Sequence, residues 1–235
     1  VPPARLIGFA LSLICAASLV SAQVAKTSHP AQSASPKAAA WRPDFLGDSA
    51  CTECHGAIAL TYLHTVHHIT SQLPSKASIA GSFVPGENQL KTSNADLRFQ
   101  MEDRANGFYE TAVFWQPPDE KTRSERIDFV TGSGEKGQTY LYWKGDQLFQ
   151  LPVSYWTELR AWVNSPGFSD GVADFNRPIV PRCLECHASY FASLPSDKGD
   201  NFYRKTGFVL GISCERCHGP GGEHVRQQRL AAAPG

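Results

Sequence analysis

The chain has 235 residues, 42% of them hydrophobic, which fits one domain, or one domain with an appendage, and excludes wholesale disorder. Lys and Arg together number 22, as do Asp and Glu, so no basic excess exists to hold a nucleic acid or an anionic membrane.

At the N-terminus, Arg5 precedes an apolar run from Leu6 to Val20, and Val20-Ser21-Ala22 offers small residues for cleavage before Gln23. Residues 1–22 read as a secretory signal peptide. The run of about 15 residues is shorter than the ~20 needed to cross a bilayer, so no membrane span is expected after its removal. Cleavage also takes away Cys15, leaving six cysteines. Gln23 to Ala40, rich in Ala, Ser, Pro, Gln and Lys, reads as a flexible linker in which His29 has no expected role. The folded part is expected to begin at Trp41 and to run as a single domain over 41–235.

The remaining six cysteines fall into three units of one pattern: Cys51-Thr52-Glu53-Cys54-His55, Cys183-Leu184-Glu185-Cys186-His187 and Cys214-Glu215-Arg216-Cys217-His218. Two thiols three positions apart can add to the two vinyl groups of one haem, and the next imidazole then reaches the iron from one face. Paired Cys-x-x-Cys knuckles also build zinc sites, but zinc does not require a histidine directly after each pair. Histidine occupies roughly one position in thirty here, so three in three is far from chance. The expectation is three haem c groups, attached through Cys51, Cys54, Cys183, Cys186, Cys214 and Cys217, with iron bound by His55, His187 and His218. Covalent attachment also explains how such thiols persist in an exported, oxidising compartment.

The sixth iron position separates a carrier from an enzyme, since a second strong ligand closes the iron. Outside the motifs and the linker stand His64, His67, His68 and His224. Ala57 to Ser71 reads as a helix, which sets His67 about 18 Å from His55 and so out of reach of its own haem. His67 and His68 are the expected distal ligands there, with His64 as the alternative. His224 follows His218 by six residues, a reach of about 20 Å at most when extended. Wrapping round the same macrocycle would use nearly all of it, so His224 is expected to serve a neighbouring haem.

Residues 80–153 change character, with period-two alternation and turn signals. Leu97–Glu102 and Phe108–Trp115 flank a loop ending in Asn106-Gly107, Arg126–Thr131 reads as a strand, and Thr139–Trp143 and Gln147–Leu151 flank Lys144-Gly145-Asp146. Met101 lies in the first of these strands and is expected to pack. The glycine run Gly132–Gly137 lacks the ending and the following helix of a phosphate loop. The aromatics from Tyr140 to Trp162 read as core or haem-face packing. Ser154–Val163 is expected to be a short helix stopped by Asn164-Ser165-Pro166-Gly167, and Phe168–Arg182 irregular. The whole is an α+β fold dominated by haem, with short helices, an inserted antiparallel β-meander and much irregular structure.

The run from Gly211 to His224, with Cys214–His218, Gly219-Pro220 and His224, resembles the haem-plus-distal-histidine signature of multihaem cytochromes in the nitrite reductase/hydroxylamine oxidoreductase superfamily. The Cys51 unit followed by His67-His68 is similar to the opening haem segment of that group. Thr131 to Pro166 resembles bacterial multihaem proteins that often continue into tetratricopeptide repeats. The resemblance implies that the histidine after Cys-x-x-Cys-His-Gly-Pro ligates another haem. Many relatives carry four or more haem motifs, and their enzymes often have Lys in place of a motif His; here there are three motifs and no Cys-x-x-Cys-Lys. Electron transfer by three mostly bis-histidine haems is therefore the expectation, with a redox enzyme of the nitrite or hydroxylamine type and an electron-input module of a longer protein as alternatives. The expected location is periplasmic, or extracellular at the cell surface. Expected partners are redox proteins or neighbouring copies of the chain, the latter stacked head to tail in a filament if His67 and His68 serve different haems.

Overall fold

A computed structural model describes residues Asp44–Ala232; the expected signal peptide and linker lie outside the described residues. The helices are α1 (Asp48–Tyr62), α2 (Pro181–Leu184), α3 (Cys214–His218) and α4 (Gly222–Ala232). The strands are β1 (Ser71–Gln72), β2 (Gln89–Lys91), β3 (Leu97–Arg104), β4 (Gly107–Gln116), β5 (Asp119–Arg126) and β6 (Phe129–Thr131). They continue as β7 (Gly137–Lys144), β8 (Gln147–Trp156), β9 (Ala161–Asn164), β10 (Arg177–Pro178), β11 (Ala188–Ser193) and β12 (Tyr203–Leu210). The fold is α+β: short helices carry the cysteine motifs, and antiparallel strands make up the middle.

Both expected hairpins form. Arg104 pairs with Gly107 to close β3 on β4, and Lys144 pairs with Gln147 to close β7 on β8 across Gly145 at φ 61°. A positive φ there suits a two-residue hairpin turn and glycine takes it without a Cβ penalty. One sheet has the order β2-β3-β4-β5, and a six-stranded sheet has the order β1-β6-β7-β8-β10 with β9 on β8. A third sheet is the β11-β12 pair.

Alternation along β7 and β8 explains why two cores flank the larger sheet. Tyr140, Tyr142, Phe149, Leu151 and Val153 pack into a core with Phe99, Met101 and Phe175. The intervening Leu141 and Leu148 face the opposite way, onto Phe129, Ile179, Leu184 and Tyr203. Each such side chain, fully buried, contributes about 1.5–3 kcal/mol relative to exposure. Met101 is wholly buried, as packing requires. Leu184 belongs to the second cysteine motif, so the second core is also the bed on which that motif rests.

Three expectations about elements are corrected. The helix read over Ala57–Ser71 instead spans Asp48–Tyr62, and His68–Thr70 is a separate 3-10 turn. Thr65, Val66 and three histidines are weak helix formers, and tertiary bonds take the backbone elsewhere: the His67 carbonyl accepts from Ile212 N at 3.0 Å. The helix read over Ser154–Val163 is the end of β8, a turn with Arg160 at φ 49°, and β9 returning with Trp156 opposite Ala161. Its Val153, Tyr155, Trp156, Trp162 and Val163 are strand formers. The strand read over Arg126–Thr131 is divided: Arg126 ends β5, and β6 begins at Phe129 in the other sheet. β5, an exposed edge strand of charged and polar residues, carries no hydrophobic alternation by which to find it.

Candidate functional site

Each cysteine pair lies on or at the end of a helical turn. Cys51 and Cys54 are in α1, Cys183 is in α2 with Cys186 just beyond, and Cys214 and Cys217 are in α3. Residues three apart on a helix share a face, so each pair presents both thiols to one side. All six thiols are free, and four of them are exposed. His55 leaves helical geometry, at φ −107° and ψ 34°, kinking α1 at the histidine that follows its pair.

The first and third motifs are stitched together. Asp48, in the first turn of α1, accepts from Cys214 N at 2.8 Å through Oδ1 and meets His68 Nε2 at 2.9 Å through Oδ2. Tyr62 OH, at the other end of α1, donates to the Ile212 carbonyl at 2.5 Å. Cys51 and Cys214 line the same recess between the two motifs. Burial, then the Asp48 carboxylate, pushes the Cys214 thiol up to about 12. Burial raises Cys51 as well, helped by Glu215 and Asp48. A recess lined by Cys51, His55, Ile58, Tyr62, Cys217 and His218 lies between the two motifs.

His224, in the first turn of α4, faces the first motif and not its own. Its ring centroid is 6.4 Å from that of His55, with the two planes 23° apart. Two imidazole nitrogens, each about 2 Å from one metal on opposite sides, would set their centroids about 6 Å apart. A recess of about 350 Å³ opens here between α1 and α4, lined by Cys51, Cys54, His55, His224 and Val225. Arg229 Nη2 donates to Glu53 Oε2 at 2.7 Å across it, tying α4 to α1. The residues present thus fit a haem held by Cys51 and Cys54 with imidazoles on both faces.

The second motif faces the sheet. A recess of about 320 Å³ is lined by Cys183, Leu184, His187, Thr131, Leu141 and the glycines at 132 and 137. The Gly132–Gly137 run thus borders a cysteine motif. At both glycines a Cβ would collide with backbone, 2.6 Å from the Gly137 carbonyl and 2.7 Å from the Tyr155 carbonyl respectively. His187 Nδ1 is 3.1 Å from Thr70 Oγ1 and 3.4 Å from the Thr70 carbonyl. A carbonyl only accepts, so Nδ1 carries the proton and Nε2 is the nitrogen left for a metal. Ser71 Oγ donates to the His187 carbonyl and accepts from Gly211 N at 2.9 Å, so the exit of the second motif is fixed to the approach of the third.

The remaining expected ligands are placed differently from one another. His64 and His67 are exposed. His68 is half-buried; Asp48 occupies its Nε2, and its buried Nδ1 has no hydrogen-bond partner among the described residues. The helical ruler that separated His67 from His55 does not apply, because α1 ends at Tyr62. Asp48, Tyr62, Thr70, Ser71 and Glu215, which hold the motifs in place, were not marked by any spacing in the sequence.

Residues 166–219, which contain the second and third motifs, match the family model "Cytochrome c554 and c-prime". The match supports a multihaem c-type cytochrome, with covalently bound haem and a role in electron transfer. Among solved structures the chain is similar to one described as the crystal structure of outer cell wall cytochrome OcwA, at 20% identity and a TM-score of 0.48. That alignment covers 80% of this chain and 34% of the other, so the chain spans about a third of that protein's length. No curated protein matches the chain. Among the described residues, no helix is long and apolar enough to cross a membrane.

Proposed function

We propose that the protein transfers electrons through three c-type haems attached at Cys51/Cys54, Cys183/Cys186 and Cys214/Cys217, with His55, His187 and His218 as the first axial ligands. The observation that carries this reading is the His55–His224 pair, 6.4 Å apart across a recess that opens beside the Cys51/Cys54 pair. His224 is then the second ligand of the iron at the first motif. Bound haem supplies a one-electron couple whose potential its axial ligands and their hydrogen bonds set. The chain's own residues fix that environment: Thr70 orients His187, and Asp48 and Tyr62 hold α1 against the third motif.

The same proposal includes export to the periplasm or the cell surface, and kinship with the nitrite reductase/hydroxylamine oxidoreductase superfamily. Its partners are other redox proteins or further copies of the chain. In the latter case the exposed His64 and His67 are the residues available to a neighbour's iron, and sedimentation and electron microscopy at high concentration distinguish a filament from a monomer. The test of the central assignment is His224→Ala in the haem-loaded protein. One iron of three should become high-spin by electron paramagnetic resonance and bind carbon monoxide when reduced; an unchanged spectrum would contradict the assignment. A redox enzyme is the second reading, favoured by the engagement of His68 Nε2 with Asp48, which takes up one nitrogen of a candidate distal ligand. Rapid nitrite or hydroxylamine turnover by the wild-type protein would establish it.

A further inference from the structure

Glu215 occupies the first of the two variable positions of the third motif and is 3% exposed; the same position holds the partly buried Thr52 in the first motif and the buried Leu184 in the second, so an acidic group here takes a place that an apolar side chain fills elsewhere. Its carboxylate accepts from three backbone amides: Leu46 N at 2.9 and 3.1 Å to the two oxygens, Gly47 N at 2.7 Å and Gly221 N at 2.9 Å. None of these hydrogen-bond partners is a cation, and the neighbouring Arg216 is turned away to the Glu185 carbonyl at 2.8 Å. A buried carboxylate needs such donors to remain in place, and charge-assisted bonds to N–H groups are the strong ones.

The donors belong to two segments far apart in sequence. Leu46 and Gly47 lead directly into α1, where Gly47 is the N-cap and no side chain of its own caps the helix. Gly221 leads directly into α4. His55 is on the first helix and His224 on the second. The seam between them is closed further by Gly222 N donating to the Asp44 carbonyl at 2.9 Å, and a Cβ on Gly222 would come within 2.9 Å of the Asp44 backbone.

We infer that Glu215 is a positioning residue that sets the separation of His55 and His224, and thereby the six-coordination of the iron at the first motif, although it is itself part of the third. The inference rests on the bis-histidine reading of that pair. Metal–ligand distances tolerate only about 0.2 Å of error, so a clamp fixing the starts of both helices acts on the site as the ligands do.

The test uses the haem-loaded protein with Glu215→Gln, Glu215→Ala and His224→Ala side by side. Gln keeps one oxygen as an acceptor and so keeps the fold; Ala removes both. Expected for both Glu215 variants is a shift toward the high-spin signal in one iron of three, graded Ala above Gln. Carbon monoxide should bind that reduced iron at least tenfold faster, and amide exchange should rise at Leu46, Gly47 and Gly221. The other two irons keep the wild-type signal, which general loosening of the fold would not allow. If His224→Ala opens the first iron while both Glu215 variants keep the wild-type spectrum and ligand inertness, the positioning role is wrong and the bis-histidine pair stands. Uniform change across all three irons likewise overturns it. If His224→Ala itself opens nothing, the pair is wrong, and the role of Glu215 falls with it. Should the Ala variant not accumulate, Glu215→Gln decides by the same criteria.

Discussion

Glu110 offers a prediction whose sign and size come directly from its surroundings. It lies on β4, 1% exposed, with Oε1 accepting from Val153 N at 3.0 Å and Oε2 without a partner among the described residues. The Tyr140 phenol is a titratable neighbour, and among the described residues no cation stabilises a charge on Glu110. Burial holds its carboxyl well above the ordinary value of 4.5, and the Val153 hydrogen bond offsets this only in part. The folded state therefore keeps a proton that the unfolded chain releases above about pH 4.5. Stability falls as pH rises from there, by up to about 1.4 kcal/mol per pH unit, until the folded-state carboxyl itself ionises. Glu110→Gln removes that proton linkage and keeps the acceptor for Val153 N. Urea unfolding of the two proteins at pH 4, 6 and 8 should show near equality at pH 4 and a growing advantage for the variant above it. Parallel stability curves would refute the reasoning, because they would mean that Glu110 titrates alike in both states.

Other expected outcomes follow from the same geometry. Gly211→Ala places a Cβ 1.8 Å from the His68 carbonyl at φ 66°, and should cost about 2–5 kcal/mol in denaturant unfolding, whereas Gly145→Ala, also at positive φ but in open space, should cost about 1–2 kcal/mol. Thr70→Val removes the hydroxyl nearest His187 Nδ1, and should raise the potential of the second haem by tens of millivolts in a spectroelectrochemical titration, with the other two unchanged. Cys186→Ala, expressed with the haem-attachment machinery, should lower yield and increase protease sensitivity, because Leu184 of that motif packs in the second core; normal accumulation and thermal stability would place haem at the periphery.

The cysteine motifs were legible because their pattern is local: two thiols three apart and an adjoining imidazole are read from five consecutive residues. The hairpins were legible for the same reason, since Asn106-Gly107 and Gly145 carry their turn geometry with them. What escaped was non-local. The end of α1 at Tyr62 depends on Ile212, 150 residues away, which takes the Tyr62 hydroxyl. The edge strand β5 has no apolar face: it pairs only with β4, and it reaches the core through Arg123, whose guanidinium lies over the Phe175 ring. Distal histidines were countable but not assignable by chain reach alone. The distance argument set His224 apart from its own motif, and the fold places its ring 6.4 Å from that of His55; the helix assumed to carry His67 and His68 ends at Tyr62. Glu215 looked like a spacer between two cysteines; only the fold shows that it binds amides leading into both α1 and α4.

The most direct test of the account is the intact mass of the exported protein after acidified-acetone treatment. The account predicts a polypeptide heavier by three haems, none of them extracted, with iron and no zinc. Extractable haem, fewer than three haems per chain, or zinc in place of iron would contradict it.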